Sequence, residues 1–479
     1  MEKLRQTLSN YVWMPILLTI GFIGWGCNLD FITVPLLCVY VGLLLAFCDD
    51  VRNLFPVAFS VPFFINTIEG FIDYVILGIG ILFFIIGLVI FLIRHLWKKK
   101  TPVKKGKLFW GFVISLAAYL LGGIWGYFNI INAIIITAMT SATYFLYWIA
   151  INFTHNFRKY INSLFIAIGI ILFVQLLISY ANVDEPFGSA ILSKNVVWIG
   201  LQNINVAAIY FMLAMLAAFQ FALHHKYDYL ITLAGLFFAI CTYFTYSRMG
   251  TLICFIIMII SIIYIFAKSK NKPIFLFIGI VGVFILEFIC VLYFDKIAKL
   301  FSHHVSLGFS GNGRDALWPW CIEKFFESPL FGVGYTSKDP VPGLLSTKSI
   351  ILAHNTLIQY LTSLGIIGTI MMIYYHIQRY KILLTNFNEF KFMNLLNILT
   401  IGLSGITDQS PTMDIFIICI ATIFIAQSEL DSEEHSHNNL NTKTTESNTT
   451  SSEDIEVKNQ TTAKVTSKKT FSTKKVNKK

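Results

Sequence analysis

The chain has 479 residues, of which 56% are hydrophobic and only 13% charged, with a mean hydropathy of +0.69. A soluble globular domain carries about 25% charged residues, so this composition excludes one and indicates an integral membrane protein. The formal charge of +10 then reads as topology, because Lys and Arg favour the cytoplasmic side and anionic headgroups, and no basic stripe on a soluble face marks a nucleic-acid partner.

At the N-terminus, Lys3 and Arg5 precede an apolar run with no small-residue cleavage site, and more apolar runs follow at once. The segment therefore reads as an uncleaved first helix. A membrane span needs about 20 apolar residues. Clear spans occupy 11–28, 31–48, 72–94, 109–128, 131–151, 160–180, 203–223, 227–246, 249–267, 273–294, 355–376 and 391–407, with weaker ones at 53–68 and 413–427. The segment 53–68 is short and holds Pro56 and Pro62, so a re-entrant piece is the alternative to a crossing.

Charge chooses between them. Lys98 to Lys100, Lys104, Lys105 and Lys107 join Lys3 and Arg5 on the cytoplasmic side only if 53–68 crosses. Arg158, Lys159, Lys226, Lys268, Lys270, Lys272, Arg379, Lys381 and Lys391 then fall inside as well. The expected fold is an all-α integral membrane protein with about 14 transmembrane helices (12–14) and both termini cytoplasmic.

Residues 1–427 form its polytopic domain. Residues 428–479, rich in Ser, Thr, Asn, Glu and Lys, cannot bury a core and read as a disordered cytoplasmic tail. Cys27, Cys38, Cys48, Cys241, Cys254, Cys290, Cys321 and Cys419 lie almost entirely in apolar runs without a C-x-x-C pair. They indicate neither a disulfide framework nor a zinc site.

One connection stands apart. Residues 295–354 make a large polar extracytoplasmic loop, and loops of that length tend to be functional. It holds Gly313-Arg314-Asp315-Ala316-Leu317-Trp318, then Pro329-Leu330-Phe331-Gly332-Val333-Gly334, and closes on Ala353-His354-Asn355. Within it, Trp320 to Glu327 has apolar residues at helical spacing and reads as an amphipathic interfacial helix with Pro319 in its first turn.

These motifs, with Ser247-Arg248 at a span end and Gly365-Ile366-Ile367-Gly368 after Leu357, resemble the O-antigen ligase and Wzy-type polysaccharide polymerase family. The local resemblance covers about Asn203 to Gly368. Two positions depart from the family pattern: Pro319, where a plain helix usually continues, and Tyr335, where a further glycine is common. The resemblance implies a GT-C-like membrane glycosyltransferase of the bacterial cytoplasmic membrane. Such an enzyme takes an undecaprenyl-diphosphate-linked glycan as donor on the extracytoplasmic face, without a metal or other cofactor. The implied partners are membrane lipid and the chain-length regulator and flippase of the same pathway.

The chemistry of the residues leads the same way. A diphosphate leaving group needs its charge stabilised, by a metal on carboxylates or by guanidinium groups. The loop lacks a D-x-D pair but has Arg314, with Arg248 at the same membrane face, and an arginine fork bonds two phosphate oxygens at once. Snorkelling to the headgroups is the plainer reading of Arg248. His354 is the natural base for an acceptor hydroxyl.

Glu287, inside a span, is a candidate for the acceptor path or for pairing with an arginine. Asn203 and Asn355 are candidates for hydrogen bonds to substrate, with helix capping the alternative for Asn203. His303 and His304 tempt a metal assignment, but adjacent side chains seldom converge on one ion. The expected function is polymerisation of lipid-linked repeat units for capsule, exopolysaccharide or O-antigen. A ligase using the same site is the nearest alternative, and a lipid-linked oligosaccharide flippase the one from another class.

Overall fold

The structure is a computed structural model and describes residues 2–66, 71–98, 103–182, 199–200, 203–292, 314–336, 339, 351, 353–406 and 415–434. Among these residues the regular structure is helical. In chain order the helices are α1 (Glu2–Leu8), α2 (Trp13–Gly26), α3 (Asp30–Phe47), α4 (Leu54–Ser60, continued by a 3₁₀ turn Val61–Phe63), α5 (Phe71–Leu92), α6 (Phe109–Leu121), α7 (Ile130–Asn152) and α8 (Phe157–Ala181). There follow α9 (Ile204–Ala222), α10 (Asp228–Tyr243), α11 (Arg248–Lys268), α12 (Lys272–Leu292), α13 (Arg314–Glu327), α14 (Thr356–Leu384), α15 (Glu389–Ser404) and α16 (Ile415–Glu434). A backbone in hydrocarbon has no water to bond, so helices that satisfy themselves are the available solution.

Among the described residues eight helices are long and apolar enough to cross a membrane, and the bent pair α1–α2, with 61° between its halves, would make a ninth. The expected total therefore depends on shorter apolar pieces, at 54–63, 109–121, 228–243 and 272–284, and on α15. The chain is an all-α integral membrane protein.

The doubtful segment around α4 runs the whole length of α2. Asn53 donates to the carbonyls of Leu8 and Asn10, at 2.8 and 2.9 Å, where α2 begins. Asn66 donates to Trp25 O and Asn28 Oδ1, at 2.9 and 2.8 Å, where α2 ends. The short path from Asn53 to Asn66 suffices because α-helix gives way around Pro62 to a 3₁₀ turn, which rises further per residue.

α9 is the hub. It carries no charged side chain and is buried on nearly every face, as expected of a helix that is apolar all round. It packs against α8, α10, α11 and α15. The bundle has two ends. At one, the turns after α9, α11 and α14 gather Lys226, Lys268, Lys270 and Lys381, and a 2.8 Å ion pair joins Lys268 to Glu389. At the other, α13 packs on α14; these are called the lysine end and the loop end.

Four boundaries differ from the sequence reading. α6 stops at Leu121, because residues 122–127 are drawn into a tight pairing described below. α13 begins at Arg314, which puts Pro319 inside the helix and not in its first turn. α14 runs on to Leu384 but breaks at Gly365. α16 continues past residue 427 to Glu434. The chain divides into a unit Met1–Ser428 and a second, Glu429–Lys479, of which residues 429–434 are described.

Candidate functional site at the loop end of the bundle

The site is built on a broken helix. Gly365 has φ +66° and ψ −168° inside α14, a conformation that glycine adopts readily and residues with a Cβ do not. In an unbroken helix the amides of Ile366 and Ile367 would bond the carbonyls of Thr362 and Ser363. Here all four groups bond the loop. Val333 N donates to Thr362 O at 2.8 Å and Gly334 N to Ser363 O at 3.2 Å, while Ile366 N donates to Pro329 O at 2.8 Å and Ile367 N to Leu330 O at 3.1 Å. Each such group left unsatisfied in the membrane would cost several kcal/mol. The Pro-Leu-Phe-Gly-Val-Gly run is thus the complement of the helix break.

Its other edge pairs with the segment after α6. Gly123 N donates to Phe331 O and Tyr127 N to Val333 O, both at 2.9 Å. The backbones lie too close for side chains: a Cβ on Gly332 would stand 2.4 Å from Ser363 C.

The break also turns the chain. Tyr360 Oη and His376 Nε2 are 3.4 Å apart, although sixteen residues of straight helix would separate them by about 24 Å. Residues 356–364 therefore fold back against 366–384. Arg379 Nη1 lies 3.3 Å from His376 Nδ1; because guanidinium can only donate, Nδ1 accepts and Nε2 carries the hydrogen toward Tyr360. Arg379 is only 8% exposed. From sequence it reads as one more cytoplasmic positive charge, since the fold that buries it depends on the break.

His354 sits where the loop enters this folded-back piece. Its φ is +50°, a left-handed conformation that costs a non-glycine residue about 1 kcal/mol or more and persists only where neighbours enforce it. The enforcement is visible. Ala353, fully buried, donates its N–H to Gln359 Oε1 at 2.8 Å and accepts from Trp318 Nε1 at 2.8 Å. On the other side, Asn355 Oδ1 caps α14 by accepting from Leu357 N and Ile358 N, at 3.0 and 3.1 Å. Asn355 Nδ2 donates to Ile406 O at 2.8 Å, and Thr356 N to Gly405 O at 2.8 Å. The half-buried imidazole is held by its neighbours' bonds.

α13 supplies the roof. Leu317, Cys321 and Val333 bury together with Ile351 and Ala353, and Thr362 Oγ1 donates to Cys321 O at 3.1 Å. Lys324 bonds Glu327 at 2.6 Å and also Asp339. Burial works against its ammonium, yet these two carboxylates outweigh it and keep its pKa above the ordinary lysine value. Tyr335 packs its ring 6.1 Å from that of Tyr119, and its carbonyl accepts from Ile351 N at 2.9 Å.

The remaining candidates fall on other elements. Arg248 is the exposed first residue of α11, after the N-cap Ser247, whose Oγ accepts from Gly250 N at 3.3 Å. Gly250 packs on Ala208, which brings Arg248 to the same end as Asn203 at the head of α9. Asn203 Oδ1 accepts from Asn205 N at 3.0 Å, the capping role. Arg314 is the first residue of α13. A cation at a helix start opposes the helix dipole by about 0.3–1 kcal/mol, so both arginines occupy positions that a bound anion would relieve. Glu287 is exposed on α12, as are Phe284 and Phe288. The side chain of Asn355 is occupied in capping, which makes it a positioning residue for His354.

Among the described residues no three of His, Cys, Asp and Glu gather to hold a metal; His303 and His304 lie outside them. Trp318 and Gln359, which fix Ala353, are not evident from sequence because their partner is a backbone group.

Residues 233–373 match the family model described as O-antigen ligase. No curated protein matches the chain. The matched stretch takes in Arg248, Arg314, the Pro329–Gly334 run, His354 and the Gly365 break, and over these residues the chain is similar to the O-antigen ligase family.

Proposed function

We propose that the chain is a membrane glycosyltransferase that polymerises undecaprenyl-diphosphate-linked repeat units on the extracytoplasmic side, which is its loop end. The observation that carries this reading is His354, held in a strained left-handed conformation by bonds on both sides. Strain of this kind, enforced at the mouth of a built loop, is characteristic of working residues.

The acceptor hydroxyl oxygen forms the new bond to the anomeric carbon of the donor. The bond from that carbon to the diphosphate oxygen breaks with its electron pair, and His354 takes the hydroxyl proton. Arg248 and Arg314 hold the diphosphate and its developing charge. The scheme requires no metal, so EDTA should leave reconstituted enzyme active. Inhibition reversed by magnesium or manganese would overturn that part.

The test supplies purified, vesicle-reconstituted chain with a lipid-linked oligosaccharide. A ladder of lengthened lipid-linked glycans from donor alone supports polymerisation. Product only after a second lipid or protein acceptor is added means a ligase. Movement of label across the vesicle without any new glycosidic bond means a transporter.

A further inference from the structure

The lysine end holds a built hollow, remote in the fold from the loop-end site. It has a volume of about 490 Å³ and lies between the turn joining α9 to α10 and the turn joining α11 to α12. That is far more than the ~10–15 Å³ that admits one water. The two turns are braced against each other by Asp228, which is 6% exposed. One carboxylate oxygen accepts from Ser269 Oγ; the other accepts from Asn271 Nδ2 at 2.8 Å and Tyr229 N at 2.9 Å. Asn271 Nδ2 also reaches Lys226 O at 2.9 Å. The acidic group is thus consumed in holding the scaffold.

What the scaffold presents is basic: His224, His225, Lys226, Lys268 and Lys270 line the hollow. Lys268 pairs with Glu389, whereas Lys226 and Lys270 have no ion pair among the described residues. His225 Nδ1 accepts from Tyr227 N at 3.1 Å, so its Nε2 is free to carry a hydrogen outward. Capping the ends of α9 and α11 would explain one cation per helix. It does not explain two lysines, two histidines and a cavity between them.

The surroundings say what can reach it. Leu230, Leu233 and Phe237 on α10 and Ile263 and Phe266 on α11 are exposed, and in a membrane protein such faces meet acyl chains. The hollow lies at the ends of these helices, so acyl chains on their exposed faces would bring headgroups to it. Basic pockets between membrane helices suit anionic headgroups.

We infer that this hollow binds the phosphate of an anionic phospholipid headgroup, with Lys226 and Lys270 as its charge partners. Each lysine near an anionic lipid surface is worth roughly fivefold in affinity, so losing both should weaken binding on the order of twentyfold. The site is independent of glycan transfer.

The test uses the full chain in nanodiscs of phosphatidylcholine with a few per cent of labelled phosphatidylglycerol, read as lipid retained per protein. The double variant Lys226→Gln/Lys270→Gln should bind about twentyfold more weakly while melting at an unchanged temperature. The variant Lys104→Gln/Lys105→Gln, which removes equal charge elsewhere at the lysine end, should bind as the parent does. Equal loss in both double variants would reduce the effect to general surface charge and overturn the site. Undiminished binding by Lys226→Gln/Lys270→Gln would also overturn it. Displacement of the lipid by millimolar inorganic phosphate, with no preference for lipid, would make free phosphate the ligand and overturn the phospholipid assignment.

Discussion

A Cβ placed on Gly365 would stand 2.5 Å from the amide nitrogen of Gly332, so two glycines 33 positions apart in the chain share one close backbone contact. Both have φ +66°. Gly365→Ala and Gly332→Ala should therefore each destabilise the protein by about 2–4 kcal/mol, from left-handed strain of about 1–3 kcal/mol and forced displacement of opposing backbone. Thermal unfolding in detergent measures this. A change below about 0.5 kcal/mol, the scale of an ordinary surface substitution, would mean that the contact is not as close as the structure has it.

Trp318→Phe keeps most of the ring but removes the indole N–H bonded to Ala353 O. A hydrogen bond of this kind contributes about 1 kcal/mol. If Trp318 acts by fixing His354, transfer should fall by up to about fivefold in kcat with little change in KM for donor. Trp318 does not touch substrate in this scheme, so a rise in KM alone would assign it to sugar binding.

Much of the fold is legible in the sequence because hydrophobic length and lysine placement are local signals. The reading of 53–68 as a crossing rests on charge alone, since its helix is too short to announce itself; what the structure adds is that Asn53 and Asn66 bond opposite ends of α2. The break in α14 is not legible from hydropathy. Gly365-Ile366-Ile367-Gly368 lies in an apolar run, and the four groups it frees find partners 29 or 37 positions upstream. The family resemblance draws attention to these glycines without explaining them. For the same reason the burial of Arg379, the occupation of Asn355 in capping and the exposure of Glu287 become visible only when the chain is folded. They depend on which helix lies beside which.

His354 permits a sharper test than alanine alone. His354→Ala removes the base and should cost transfer about 100- to 10,000-fold while donor binding persists. His354→Gly removes the base and the left-handed strain together, so it should be equally inactive yet as stable as the parent or more so, by up to about 1 kcal/mol. That pattern, stability gained where activity is lost, separates a working residue from a structural one. Wild-type polymer length in either variant would remove the residue on which the mechanism turns.

The arginines should part company with His354 in what they change. Both begin helices, α11 and α13, where a positive side chain opposes the helix dipole by about 0.3–1 kcal/mol. Replacing either by glutamine should therefore leave the unliganded protein at least as stable while weakening donor binding, measured as retention of a labelled lipid diphosphate by the reconstituted chain. Lysine is the discriminating substitution. It preserves charge but not the planar fork, so Arg314→Lys should still lose binding if two phosphate oxygens are gripped at once. Near-full binding by Arg314→Lys with loss in Arg314→Gln would reduce its part to a point charge. Full binding by both would take Arg314 out of the site and leave Arg248 to hold the diphosphate alone.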